Sequence, residues 1–464
     1  MVYAKEKGME KVTIIGAGLT GALLALYLAR RGYEVDVYDA RPDPQMTKPD
    51  QGRSINLAMS CRGLTGLAGV DLSIKAEAIM VPMRARAIHD QEGGIRYQPF
   101  GRSEDEYINA VARTDLNNLL LKEAHQFPSV IFHFNTKLLK VDIYSRQLSF
   151  EKEDGSQFTI PYQRLMGADG ATSVVRETLV NEKMITSSRN YLTHGYKELS
   201  ISTESAKELS HENLHLWPRD SFLLLGNPNR DYSITGSLFL PHEGKNSFAK
   251  LDNELTIARF FAQAFPDAYK AMPAVVEEFT QHPTGTMSTI NSSNWHYGDQ
   301  CLLIGDAAHG VVPFFGQGMN CGFEDCRLLN EMLDRYDDDW QKVMPLFFAE
   351  RKPDTDAVAQ MSLGNFHEIQ SKIRDPQFNL KKQLELELMQ RYPADYVSKH
   401  VLVMFTNTPY SVAHAVGAVQ SELLSNITQG IRSMHEVKWN EVDSLILKYD
   451  KKLTDLNLYE KIYQ

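Results

Sequence analysis

Apolar and polar positions along the first forty residues fall into three blocks. Val12-Thr13-Ile14-Ile15 is a β-branched run without a charge, the mark of a short strand buried on both faces. Ala22 to Arg31 is rich in Ala and Leu and is stopped by Gly32, which predicts a helix. Val35 to Asp39 is a second strand, closed by a carboxylate. Gly16-Ala17-Gly18-Leu19-Thr20-Gly21 stands between the first strand and the helix, so the whole is a βαβ unit about 30 residues long. Period-two alternation returns around Ala85 to His89, Val130 to Phe134, Leu148 to Phe150 and Tyr232 to Phe239, and predicts strands of a mixed sheet. Cys301 to Ile304 is a fully buried strand ended by Gly305-Asp306. Arg219 to Asn229 and Pro241 to Asn246 read as turn-rich connections. From about Phe347 onward the period becomes helical, with Leu380, Leu384 and Leu388 spaced four apart between Pro376 and Pro393. Gly63, Gly66 and Gly69 share one helical face and read as a packing surface, and Asp337-Asp338-Asp339 as a solvated loop.

Composition narrows this picture. A chain of 464 residues is long enough for two or three structural units. Lys and Arg number 49 against 59 Asp and Glu, a formal charge of 49 − 59 = −10, which speaks against nucleic acid as a partner. Four cysteines with no CxxC pair make neither a disulfide framework nor a zinc site, and predict a reduced, cytoplasmic protein. The first residues are charged, so no leader peptide is expected. The most apolar stretch, Val401 to Leu424, is broken by Asn407, Pro409, His414, Gln420 and Glu422, so no membrane span is expected.

The glycine loop points to a dinucleotide. Gly16 permits the tight turn, Gly18 lets a pyrophosphate approach the backbone, and Gly21 allows close helix packing. Asp39 is placed to accept hydrogen bonds from a ribose. By itself this loop serves NAD or FAD equally. Two further strand ends carry a carboxylate beside glycine: Asp169 in Gly167-Ala168-Asp169-Gly170, and Asp306 in Gly305-Asp306-Ala307. Each is suited to a ribityl or ribose hydroxyl. No second GxGxxG follows a strand, so a separate nicotinamide domain is not expected.

In this order and spacing the three motifs resemble the group A flavoprotein aromatic hydroxylases. Within that class, Arg53-Ser54-Ile55-Asn56-Leu57-Ala58, His194-Gly195-Tyr196-Lys197-Glu198-Leu199 and Val312-Pro313-Phe314-Phe315-Gly316-Gln317-Gly318-Met319-Asn320 are similar to the kynurenine 3-monooxygenase family. Leu214 to Pro218 and His282 to Gly285 are similar to it as well, and the likeness runs from about residue 11 to residue 440. It implies an α/β fold with three parts. A Rossmann-type, glutathione-reductase-like FAD-binding domain takes residues 1–80, 103–190 and 286–346. An inserted mixed β-sheet substrate domain takes 81–102 and 191–285, and a helical C-terminal region takes 347–464. The family's FAD contacts fall on Ala17, Asp39, Arg41, Ala58, Arg113, Asp306, Met319 and Asn320, beside Gly16, Gly18, Gly21, Asp169 and Gly318 from the motifs themselves. The Gly316 to Asn320 backbone would meet the flavin's pyrimidine edge at a helix start.

For the substrate, the family's carboxylate anchor matches Arg86, and alternation along a strand puts Arg84 on the same side. The family asparagine matches Asn365, and Leu225, Phe239, Pro313, Phe314 and Phe315 would form an apolar wall. Two family tyrosines fall on Phe100, which has no hydroxyl, and on His400, which would serve as a protonated donor and weaken binding as pH rises from about 6 to 8. The implied activity is conversion of L-kynurenine to 3-hydroxykynurenine with O2 and NADPH. FAD carries the chemistry, with no catalytic side chain and no metal, and His309 is read as structural. A hydroxylase of another amino-aryl or phenolic acid stays open, favoured by Phe100 and His400. So does a non-hydroxylating flavoprotein that acts as a redox-dependent interaction module.

Overall fold

A computed structural model describes residues 10–46, 56–371 and 375–463. The stretch Arg53 to Ile55, part of one family motif, and the charged residues before Glu10 lie outside them. The α/β class expected from the sequence is present. Its first sheet runs in the order His296–Tyr297, Cys301–Leu303, Arg164–Gly167, Lys11–Ile15, Glu34–Tyr38, Val130–His133, all parallel except the outermost pair His296–Tyr297 with Cys301–Leu303. Ile14 lies opposite both Val37 and Met166, so this strand is apolar on both faces. The helix Leu19–Arg30 packs over it and buries Ala22 to Leu28 completely or nearly so. A three-stranded sheet of Asn56–Met59, Ile108–Ala112 and Met80–Met83 closes one side, and another of Gln157–Pro161, Gln147–Lys152 and Thr136–Asp142 lies apart from the site.

The seven-stranded sheet has the order Gly285–Ser292, Ser187–Ile201, Ile234–Pro241, Leu223–Pro228, Asn213–Pro218, Ala85–His89, Ile95–Pro99. Its register decides what faces what. Arg86 lies opposite Leu214, Leu216 opposite Leu225, Leu225 opposite Ser237, and Leu223 opposite Phe239, so these side chains share one face. Trp217, Leu224, Leu238 and Leu199 take the other face and pack on the helices Glu254–Ala264, Pro266–Ala271 and Val275–Gln281. Beyond the sheets the chain is helical: Trp340–Ser371, Pro376–Arg391, Lys399–Phe405, Tyr410–Ile427 and Trp439–Asp455. Leu380, Leu384 and Leu388 are all buried, as their spacing predicts. Val401 to Leu424 divides into two helices, and no helix of the described residues is long and apolar enough to cross a membrane.

Three local expectations are corrected. Residues 219–229 hold a central strand, Leu223–Pro228, because Leu223, Leu224 and Leu225 fill both faces of the sheet between the flanking turn residues. The C-terminal helices begin at Trp340, with Pro345 and Pro353 accommodated inside the first of them. The acidic triplet is not merely solvated: Asp338 accepts from Arg31 Nη2 at 2.7 Å and Nε at 3.1 Å, tying the first helix to this loop.

Candidate active site

The glycine loop divides its labour by space. Gly16 sits at φ +104°, where a Cβ would lie 2.4 Å from the Ala168 carbonyl oxygen, and a Cβ on Gly21 would lie 1.9 Å from the Gly16 oxygen. Gly18 differs: its nearest neighbour would be Arg41 Nη2 at 3.9 Å. Gly18, Leu19 and Thr20 open onto a cavity of about 350 Å³, at the start of a helix whose first N–H groups have no intrahelical partner. Asp39 shapes the loop from below, accepting from Ala17 N–H at 2.8 Å and from Arg41 Nε at 3.0 Å and Nη2 at 2.7 Å. Burial works against its charge, but the Arg41 guanidinium outweighs it and holds the carboxylate below its ordinary range.

The same cavity is lined by Ala58, Arg113, Asp306, Gly318 and Met319. Asp306 follows Gly305, held at φ +61° against Thr20, and Gly318 opens the helix Gly318–Arg335, a second set of free N–H groups. Asn320 points elsewhere: its Nδ2 donates to the Ala58 and Gly316 carbonyls, each at 2.8 Å, and its Oδ1 accepts from Ser60 N–H. It fastens the helix start to the Asn56–Met59 strand. Asp169 caps the helix Val174–Asn181 through Oδ2, which accepts from Val174 N–H at 2.7 Å, while its buried Oδ1 has no partner. Two helix starts and an open Gly18 on one cavity form a cradle that a dinucleotide such as FAD fits, and Asp169 lies behind its wall.

At the other end of the cavity stand Arg86, Phe100, Leu225, Phe239, Pro313, Phe314, Phe315 and Asn365, contributed by six separate stretches of chain. Phe314 packs against Phe239 at 5.0 Å and Phe366 at 4.6 Å between ring centroids, and Asn365 Nδ2 donates to the Phe314 carbonyl. Leu216, Leu223, Ser237 and Met404 also line it and were not foreseen. The first three follow from the register of the missed strand Leu223–Pro228 and its neighbours, and Met404 comes from a distant helix that no local signal links to the site.

Arg86 is half-buried, and burial pushes its guanidinium down to about 10 against the weaker pull of Glu385. It lies 4.4 Å from the Phe100 ring centroid, and Nη2 donates to His400 Nε2 at 3.2 Å. A guanidinium has only donors, so His400 must accept, as a neutral imidazole. The expectation of a protonated His400 is overturned: burial first, then Arg86, Lys382 and Lys399, hold it well below its usual value. Arg84 does not join the site. The strand begins at Ala85, and Arg84 turns outward to the Glu104 carbonyl at 2.8 Å and over the Tyr107 ring. A second cavity of about 270 Å³ adjoins the first across Arg86, Phe100, Phe315 and Asn365, and His400 belongs to its lining.

His309 lies outside both linings. It is buried, and Nε2 donates to Asp325 Oδ2 at 2.6 Å, the oxygen that also accepts from Gly305 N–H at 3.1 Å. Burial opposes its charge, yet Asp325 raises it to about 10, so this is an imidazolium that pins the Gly305-Asp306 turn. His309, Cys321 and Asp325 cluster closely enough to suggest a metal, but Arg351 already donates to Asp325 Oδ1 at 3.0 Å and reaches Cys321 Sγ at 3.3 Å, filling the cation's place.

Residues 9–336 match the family model of the FAD binding domain. The chain is 58% identical to the kynurenine 3-monooxygenase of Legionella pneumophila (strain Corby) over 97% of its own length and 100% of the relative's. It is 39% identical to that of Myxococcus xanthus over 95% and 96%. Among solved structures, 2-methyl-3-hydroxypyridine-5-carboxylic acid oxygenase shares the fold with a TM-score of 0.64 at 17% identity, over 81% of this chain and 96% of that one. PqsL of P. aeruginosa, in complex with 2-aminobenzoylacetate, shares it at 0.63 and 19% identity, over 78% and 97%. With sequence identity this high over nearly the whole chain, and a cradle shaped for a dinucleotide, the chain belongs to the kynurenine 3-monooxygenase family of FAD-binding proteins.

Proposed function

We propose that the chain hydroxylates L-kynurenine at the carbon beside its ring amino group, using FAD, NADPH and O2, with the second oxygen atom leaving as water. One observation carries this reading beyond the family name: Arg86. Among the described residues no carboxylate lies within ion-pair distance of this half-buried guanidinium, which sits at the end of an apolar cavity leading to the dinucleotide cradle. A desolvated cation of this kind is completed by a ligand carboxylate.

FAD, when bound, supplies the redox chemistry that activates O2. Gly18, Leu19, Arg113, Asp306, Gly318 and Met319 would hold it, and Asp39 would face its hydroxyls. Arg86 and Asn365 would fix the substrate's amino-acid end, leaving its ring against Leu225, Phe239 and Phe314. These apolar side chains keep water from the reacting carbon. Among the described residues the cavity's charged groups are Arg86, Arg113 and Asp306, with no histidine or lysine to act as a base. None is required, because the ring amino group already makes the adjacent carbon electron-rich. The four cysteines are unpaired, which supports a reducing compartment such as the cytoplasm.

The test is NADPH oxidation by the FAD-loaded protein with and without L-kynurenine, with chromatography for 3-hydroxykynurenine. Stimulation with product is expected, and Arg86→Ala should raise KM by an amount equal to about 1.5 to 3 kcal/mol. No stimulation, or hydrogen peroxide without hydroxylated product, would remove kynurenine as the substrate.

A further inference from the structure

Where the seven-stranded sheet lines the first cavity, its side chains beyond Arg86 are apolar at Leu214, Leu216, Leu223, Leu225 and Phe239, and polar at Asn227 and Ser237. These two are 6% and 5% exposed, and neither side chain has a hydrogen-bond partner among the described residues. The other amides on the cavity are engaged. Asn56 Nδ2 donates to the Pro228 carbonyl at 3.2 Å and to Asn229 Oδ1 at 2.6 Å, and Asn365 Nδ2 donates to the Phe314 carbonyl. Register places the unpartnered pair. Leu225 lies opposite Ser237 and Asn227 opposite Thr235, so Asn227 and Ser237 are diagonal neighbours on adjacent strands. Arg86 lies opposite Leu214, and the pairing of His215 with Gly226, continued by one residue, sets Leu214 level with Asn227. Arg86 and Asn227 therefore stand two strands apart in one row, roughly 10 Å between backbones, with Leu214 between them. Ser237 is one strand further on.

A ligand that fills this cavity takes water from both polar side chains, a cost that is offset only if the ligand supplies their partner. A carboxylate held at Arg86 lays an aryl ketone along the row, with its ring over Leu214 and Leu225 and its far end at Asn227. In an ortho-amino aryl ketone one amino N–H bonds to the neighbouring ketone oxygen and the other is free. The nitrogen lone pair is drawn into the ring, so the group donates and scarcely accepts. Resting on the kynurenine reading, we propose that the polar end formed by Asn227 and Ser237 receives the substrate's ring amino group, with Asn227 Oδ1, the nearer to Arg86, accepting its free N–H. Asn227 is then the residue by which this chain prefers an amino-substituted ring to the same ring without the amino group.

The experiment measures Kd for L-kynurenine and for its analogue with hydrogen in place of the ring amino group, from the change each causes in the flavin spectrum. Wild type, Asn227→Leu, Asn227→Asp and Ser237→Ala are compared, all FAD-loaded. Wild type should bind L-kynurenine about threefold to tenfold more tightly than the analogue, the worth of one neutral hydrogen bond. Asn227→Leu should abolish that preference by weakening L-kynurenine, while the analogue binds as well as before or better. Asn227→Asp, which keeps an acceptor, should keep the preference, and Ser237→Ala should lower it by a smaller factor. An equal loss for both compounds in Asn227→Leu, or a wild type that hydroxylates L-kynurenine yet binds the two alike, would overturn the role of Asn227 alone. A wild type that neither binds nor hydroxylates L-kynurenine would overturn the kynurenine reading and this inference with it.

Discussion

Gly18 is the glycine of the loop that lines the cavity and whose added Cβ would find open space. Its backbone is extended, at φ −74° and ψ −174°, a conformation open to any residue, and an added Cβ meets no backbone. Gly18→Val should therefore fold and lose its flavin, whereas Gly21→Val, with a Cβ driven into the Gly16 carbonyl, should fail in folding itself. Flavin absorbance per protein and the thermal midpoint separate the two; full flavin in Gly18→Val would remove the cradle assignment. His400 sets a second expectation. Because burial and Arg86 keep it neutral, substrate affinity should change less than about twofold between pH 6 and 8, where a free imidazole would titrate. A steady loss of affinity over that range would restore the protonated donor. Part of this scale was legible: Gly18, Arg86 and Asn365, singled out from local motifs, line one cavity, whereas Asp39 bonds to the loop backbone and Arg41. The failures are instructive. Alternation cannot tell where a strand begins, so Arg84 was set beside Arg86. The state of His400 depends on a partner 314 positions away.

Helices and strands meet the site through a few buried charges. The helix Cys61–Ala68 presents Gly63, Gly66 and Gly69 as the close-packing face their spacing predicts, with Gly66 against Phe323 and Gly69 against Tyr27. Between them Arg62 is fully buried. Nη1 donates to Glu324 Oε1 at 2.6 Å, Nη2 donates to the Thr408 carbonyl, and the guanidinium covers the Tyr410 ring at 3.9 Å. One side chain thus joins the nucleotide half to the C-terminal helices, and Arg351 meets the other oxygen of Glu324 at 3.0 Å. Arg62→Met should cost about 3 to 5 kcal/mol, because it strips one partner from a buried carboxylate. Breaking the exposed pair Lys452 and Glu422 by Lys452→Met should cost less than about 1 kcal/mol. Urea unfolding compares them, and equal losses would deny the clamp its role. Nothing near Arg62 in the sequence announces Glu324 or Thr408, just as the three leucines of Leu223–Pro228 look like a loop until their neighbours in the sheet are known. Local periodicity reports burial, and it does not report the partner.

The whole molecule's response to acid follows from which histidines it holds neutral. His215, against the Ser210 carbonyl and His89, is pushed down to about 4 by burial, and His400 is held well below its usual range. His194, His296 and His414 are lowered too, again by burial. In the unfolded chain all of these titrate near about 6.5. Between the folded and unfolded values the unfolded chain binds protons that the folded chain refuses, so stability is full above about pH 6.5 and falls as pH drops below it. His309 acts in the opposite direction: raised to about 10, it stabilises below 6.5 and loses that contribution as pH rises through 10. Asp450, raised to about 6 by burial and Asp395, works against the acid loss below pH 6. Asp267, lowered to about 2 against its burial by His89, titrates beneath this window and leaves it to the histidines. His215 contributes up to about 1.4 kcal/mol per pH unit, or about 2 kcal/mol by pH 5. Urea unfolding with FAD in excess should therefore show stability falling from pH 7.5 to 5, with about 2 kcal/mol of loss from His215 and a further loss from His400, each opposed by His309 and Asp450. His215→Gln should lose about 2 kcal/mol less over the same interval, since one refused proton has been removed. Equal losses in wild type and His215→Gln over this interval would mean that His215 is already charged in the folded protein.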